Sequence, residues 1–119
     1  MSIDFNVFEK MLKIADDTTK KSILFNVNRL IDYADFVSKL EEMIKQYSGS
    51  DYMIMRLDKD RREKHDMAIS CITELNEISN NLKLGNFYDG AVDDENRSII
   101  AQAIYDFSKH YLNLNQKEI

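Results

Sequence analysis

The sequence predicts an all-α fold, an antiparallel bundle of four to five helices, as one domain over residues 1–119. Three observations predict it. The chain has no proline, and only three glycines, Gly49, Gly85 and Gly90. Each glycine falls in a short polar stretch, and proline and glycine are the strongest punctuators of local structure. Between these stretches apolar residues recur every three to four positions, the period of one helical face.

The first helix is expected over about residues 4–15, with Phe5, Phe8, Met11, Leu12 and Ala15 on one side. Ser2 or Asp4 can cap its start, because a short polar side chain accepts from an otherwise unpaired N–H of the first turn. Asp16-Asp17-Thr18-Thr19 ends it and opens the next helix, where an acid suits the positive end of the helix dipole. The second helix is expected over about residues 18–47. Its main stripe is Ile23, Val27, Leu30, Ala34, Val37 and Ile44. A second stripe, Phe25, Phe36, Leu40, Met43 and Tyr47, lies beside it. The two cover about half the cylinder. So wide an apolar arc places this helix centrally, between two neighbours, or in a dimer interface; a break near Asp32 would weaken that implication. The polar arc holds Lys21, Asn28, Asp32, Asp35, Lys39 and Glu42.

Ser48-Gly49-Ser50-Asp51 is the first turn, with Ser50 or Asp51 able to cap the third helix. That helix is expected to run to about residue 84, with Gly85-Asn86 as its stop. Its stripe reads Ile54, Leu57, then Ala68, Cys71/Ile72, Leu75, Ile78/Ser79 and Leu82. Residues 87–92 form a compact connection anchored by Phe87 and Tyr88. Asp93-Asp94-Glu95 opens the fourth helix, whose stripe is Ile100, Ala103/Ile104, Phe107, His110/Tyr111 and Leu114. Residues 115–119 are expected to fray.

One segment breaks the pattern. Between Leu57 and Ala68 the stripe should continue at positions 61 and 64, which hold Arg61 and Lys64. His65 lies on the edge of the same face, with Asp58 close by. Burying unpaired charge costs several kcal/mol or more, so this is not plain core. Three readings compete: a solvated kink, loop or helix end beyond the bundle; an ion-pair cluster in which Arg61 meets Asp89, Asp93 or Asp94; or a ligand or partner site. In the fourth helix the stripe traces back onto Arg97. A cation is disfavoured in a first turn, and Asp93 and Asp94 compensate as near neighbours. With helices three and four as antiparallel neighbours, ~30 Å of helix separates Arg61 from Arg97. They are therefore expected in two separate sites.

Composition narrows the function. At 44% hydrophobic residues the chain can build a core without staples, and its net charge of -5 disfavours nucleic-acid or anionic-membrane binding. The single Cys71 allows no internal disulfide and fits a reducing compartment; on the apolar stripe it reads as an inert core thiol. No stretch approaches the ~20 apolar residues of a membrane span. Asp4 and Glu9 interrupt the pattern of a signal peptide. A cytoplasmic protein is expected.

Chemistry-bearing motifs are sparse. His65-Asp66 resembles one element of HD-type metal-dependent phosphohydrolases, but that chemistry needs further ligands and His110 is the only other histidine. Glu63-x-x-Asp66 and Glu74-x-x-Glu77 are similar to the paired acids of all-helical nucleotide pyrophosphatases. Both pairs sit on one helix ~16 Å apart, so they cannot converge within a subunit. Asp89-Gly90 with Asp93, Asp94 and Glu95 departs from calcium-loop spacing and reads as turn chemistry and capping. Arg61-x-x-x-His65 resembles the arginine–histidine motif of HEPN ribonucleases, whose pair is usually more widely spaced. That resemblance implies His65 as acid or base and Arg61 as a stabiliser of phosphate charge. Residues 62–69, Leu75-Asn76 and Phe87-Tyr88-Asp89-Gly90 resemble small all-helical proteins of unknown function from Gram-positive bacteria. The helix layout alone is similar to four-helix bacteriocin immunity proteins.

The favoured reading is a non-enzymatic binding or regulatory module of the bacterial cytoplasm, whose partner is a protein or a second copy of the chain. The candidate surface comprises Arg61, Lys64, His65, Phe25, Phe36, Tyr47 and Arg97. The alternative is an RNA- or nucleotide-directed phosphodiesterase or phosphohydrolase using Arg61 and His65. Neither a cofactor nor a metal is expected.

Overall fold

A computed structural model describes residues 1–117 of the protein, with side chains through Asn113. It is all-α. Helix α1 spans Phe5–Ile14, α2 Asp17–Gln46, α3 Asp51–Asn81 and α4 Arg97–Lys117, the last preceded by one 3-10 turn over Asp94–Asn96. The expected capping residues open each element. Asp4 accepts from the Val7 N–H at 3.1 Å, Asp16 from Thr19 at 2.8 Å, Ser50 from Met53 at 3.3 Å and Asp93 from Asn96 at 3.0 Å. The hydrogen bonds from Thr19 hold the Asp16 carboxyl below its usual proton affinity. Leu114 as a stripe residue, and the fraying expected at residues 115–119, lie outside the residues whose side chains are described.

Helix α2 runs unbroken through Asp32 and touches each of the other three α-helices, which is the central position its wide apolar arc implied. Ile23, Val27, Leu30 and Ala34 are buried as the main stripe predicts. The second stripe is not core. Phe25 is 58% exposed, and Phe36, Leu40, Met43 and Tyr47 are half-buried or at the boundary.

Helix α3 stops at Asn81, short of the expected glycine. Lys83 takes the left-handed conformation instead (φ +62°). Its N–H bonds the Asn80 carbonyl, and the Leu84 N–H bonds the Ser79 carbonyl, both at 3.0 Å. These are the two bonds of a Schellman ending, with lysine where glycine is usual.

The connection over residues 82–93 is not a tight turn. It doubles back against the body of the protein. The Tyr88 N–H donates to Asn76 Oδ1 at 2.9 Å, and the Asp4 N–H donates to the Phe87 carbonyl at 2.9 Å. Ile3 and Tyr88 form an isolated antiparallel bridge. Phe87 and Tyr88 are fully buried, the anchoring role expected of them. Phe87 joins Phe8, Phe107 and Tyr111 in an aromatic cluster, mostly edge-on, with centroid separations of 5.2–6.5 Å, a geometry aromatic quadrupoles favour. Gly90 lies against the Tyr88 ring, where a Cβ would stand 2.6 Å from Cζ. On α4, His110 is exposed rather than in the core, its ring 4.1 Å from that of Phe5, and Ser108 is buried.

The core cluster draws on all four helices but on only part of the two long ones. It takes nothing from α2 after Val37 and nothing from α3 before Met67. At 1.5 Å per residue, helices of 30 and 31 residues are each ~45 Å long. Their paired ends therefore extend from the body as a two-helix arm, which accounts for the 51 × 35 × 25 Å shape. Among the described residues no helix is long and apolar enough to cross a membrane.

Candidate functional site

The polar interruption of α3 lies where the arm meets the body. The backbone there is continuous helix, so of the three readings the loop is absent, while the helix end extending beyond the bundle is present as the arm. The expected ion pair is also replaced. Arg61 does not meet Asp89, Asp93 or Asp94; it bonds Asp58 on its own helix at 2.7 Å, and Arg62 takes the other oxygen of the same carboxylate at 2.7 Å. The hydrogen bond from Arg61, with the charges of Arg62 and Arg61 behind it, holds the Asp58 carboxyl below its usual proton affinity against some desolvation. Lys64 turns its ammonium over the Phe36 ring of α2, 5.1 Å from the centroid, a cation–π contact.

His65 is not at the edge of the site but inside it. It is 1% exposed and occupies the core line one turn before Ala68. Its Nδ1 is 2.9 Å from the Tyr33 hydroxyl of α2. The other ring nitrogen, Nε2, is buried without a hydrogen-bond partner. Burial lowers the proton affinity of the ring, and the charge of Arg97 lowers it further; Asp94 and Asp66 oppose this, and Arg61 adds to it. His65 is thus held neutral near neutral pH. Tyr33 is shifted upward by burial, against the pull of Arg61 and Arg97.

These couplings overturn the expected separation of the two arginines. The charges of Arg61 and Arg97 both bear on His65 and on Tyr33, so the two arginines lie nearer each other than ~30 Å of helix implied. The physical reason is the connection. Residues 82–93 return along the body, pinned by Asn76 and Ile3, and α4 then packs on α2 rather than as the expected antiparallel neighbour of α3. Arg97 carries a local partner as expected, Asp94, at 4.0 Å. Its Nε is buried and unpartnered.

Of the seven residues singled out from the sequence, Arg61, Lys64 and His65 share adjacent turns of α3, with Phe36 beneath Lys64, and the charge of Arg97 bears on His65. Phe25 stands apart, with the Arg29 guanidinium stacked 4.6 Å from its ring centre. Tyr47 caps α2 at the far tip of the arm. Sequence reasoning missed Tyr33. The signal was present: Tyr33 lies three residues beyond Leu30 on the buried stripe, and a buried tyrosine hydroxyl seeks a partner. Cys71 is buried at 2% exposure, and that burial raises its thiol's proton affinity. Among the described residues no three His, Cys, Asp or Glu side chains converge as a metal site requires.

A second feature lies on the arm. Leu40 and Ile44 of α2 face Ile54, Met55 and Leu57 of α3 around an apolar cleft of about 280 Å³, rimmed by Asp58 and Arg61. Met55 is 72% exposed and Ile44 40% exposed.

No family model, curated protein or solved structure matches this chain.

Proposed function

We propose that the protein is a non-enzymatic binding module of the bacterial cytoplasm, and that its partner surface is the arm, which pairs with the arm of a second copy. The observation that carries this is the open apolar cleft lined by Leu40, Ile44, Ile54, Met55 and Leu57, on a two-helix projection that contributes nothing to the core. Two helices alone bury only one face of each, and a four-helix arrangement buries more.

Charge supports a second copy as the occupant. Residues 37–63 hold six basic and six acidic side chains, so the arm is neutral and the whole net charge of -5 resides on the body. Contact between two bodies would oppose like net charges, whereas two arms carry no net charge to oppose. The arm also supplies a number of residues per side comparable to the ~20–30 of an ordinary protein interface.

The alternative, a phosphodiesterase using Arg61 and His65, has less support. His65 is buried, and Arg61 is engaged by Asp58. Light scattering on the full chain across a concentration series tests the proposal. The expected mass is twice 14.0 kDa at high concentration, falling to one copy on dilution, with Ile44→Asp and Met55→Asp each monomeric throughout. A wild-type chain that stays monomeric at millimolar concentration overturns it, as does a dimer unaffected by both substitutions.

A further inference from the structure

We infer that Tyr33 and His65 form an acid-sensitive joint between the body and the arm. A proton taken up at His65 parts α3 from α2 at this point, and the arm comes loose while the body stays folded. The joint rests on this pair of side chains and does not need the arm to pair with a second copy.

The pair sits at the border. The core cluster ends at Val37 on α2 and at Met67 on α3. Tyr33 lies a turn inside the first limit, and His65 lies just outside the second. Both side chains are fully buried, and the Tyr33 hydroxyl stands 2.9 Å from His65 Nδ1. Beside this contact, toward the arm, Lys64 lies over the Phe36 ring. Farther out is the open cleft of Leu40, Ile44, Ile54, Met55 and Leu57.

The chemistry of the ring supplies the trigger. In either neutral tautomer the contact with Tyr33 holds, because the hydroxyl donates to a bare Nδ1 or accepts from Nδ1–H. The imidazolium carries a proton on both nitrogens, and buried Nε2 has no partner among the described residues. Protonation therefore places a charge, with an unanswered donor, where water does not reach. A buried charge persists only when it is paired. The groups that bear on the ring are Tyr33 on α2, Arg61 and Asp66 on α3, Asp94 before α4 and Arg97 on it. Two cations and two acids leave no net counter-charge. Burial already disfavours the charged ring, and Arg97 adds to that. Because α3 is continuous helix here, hydrating the ring means moving it away from α2. The Tyr33 bond and the adjacent Lys64–Phe36 contact part with it. The body keeps its own fully buried Ile23, Leu30, Ile72 and Leu75, so the opening is local. Buried histidines that must charge on acidification work interfaces in this way.

NMR of the full chain between about pH 7.5 and 5 tests this. Ring-nitrogen shifts report the charge of His65, and amide exchange, scaled to the intrinsic rate at each pH, reports opening. Exchange over residues 58–66 should rise at least about tenfold, with its midpoint where His65 titrates, while residues 70–79 keep their protection. In His65→Gln the protection of residues 58–66 should not vary with pH. His110, exposed beside Phe5, titrates as a separate ring and marks acid effects unconnected with the joint. Should His65→Gln fail to fold, coincidence of the two midpoints in the unaltered chain carries the test. Residues 58–66 that stay protected while His65 charges overturn the inference, as does a His65 that stays neutral to the end of the range. So does a rise that follows another midpoint or survives in a folded His65→Gln chain, and so does an equal loss of protection over residues 70–79.

Discussion

The body and the arm are built from the same two helices, yet they are held by different means. In the body, α2 and α3 are covered by α1, α4 and the returning connection, and Ile23, Leu30, Ile72 and Leu75 are fully buried. In the arm the same helices have only each other. Leu57 is buried, while Ile44 is 40% and Met55 72% exposed. Helix propensity continues through both regions, but tertiary burial does not. The difference shows that the length of a helix and the extent of a core are separate properties, and that the polar residues of α3 mark the border between them.

Truncating one isoleucine in each region should expose the difference most plainly. Ile72→Ala removes a fully buried side chain and should lower unfolding free energy by about 2–5 kcal/mol. Ile44→Ala, measured at high dilution to suppress association, should cost within about 0.5 kcal/mol of nothing. Urea unfolding of both variants is the measurement. Comparable losses would mean that the arm is as tightly packed as the body.

Gly90→Ala should rank next. The added methyl would overlap the Tyr88 ring, which is buried and belongs to a residue whose backbone is pinned by Asn76 and Ile3. Overpacking of this kind costs about 1–3 kcal/mol. The same variant should shift the His65 resonances, because the connection it disturbs leads into Arg97, whose charge bears on His65. A destabilised variant with unchanged His65 resonances would separate the connection from the site.

Much of this was legible in the chain, and the part that was not has a common cause. Apolar spacing identified the buried stripe of α2, and the capping residues located its start, because both depend on neighbours within a turn or two. Residues 61–65 stood out for the same local reason. What spacing did not reveal was the path of the connection that leads into Arg97. That depends on Asn76 receiving Tyr88 and on Ile3 pairing with Tyr88, contacts across 12 and 85 positions. The second stripe of α2 misled for a related reason. A helix face is apolar in sequence whether or not another element arrives to cover it, and Phe25 is left 58% exposed with Arg29 of its own helix stacked on the ring.

The border histidine gives a smaller, pH-dependent effect. Its folded proton affinity lies below the unfolded value of 6.5, so the unfolded chain binds the proton more readily. Stability is then fully present above about pH 6.5 and falls as the pH drops toward the folded midpoint. A His110→Gln background leaves His65 as the one histidine, and Asp16 and Asp58 titrate below 3.8, outside this window. Between about pH 6.5 and 5 the slope of unfolding free energy should be positive, and it should flatten when His65→Gln is added. An equal slope in both proteins would place the acid sensitivity elsewhere.

The finest test compares two helix N-caps, each accepting one N–H of its first turn. Asp16 opens α2 within the body, and Ser50 opens α3 at the tip of the arm. A lost cap costs ~1 kcal/mol when its helix unfolds with the rest of the protein. Asp16→Ala should therefore lower global stability by about that amount. At the tip the first turn can open without disturbing the core, since no residue there belongs to it, and local opening is insensitive to the global free energy. Ser50→Ala should speed amide exchange over residues 53–57 while leaving the urea midpoint unchanged at high dilution. A loss of global stability equal to that of Asp16→Ala would mean that arm and body unfold as one unit. If exchange at the tip instead slows as protein concentration rises, the turn is being covered by another copy, since only association makes a local opening depend on concentration.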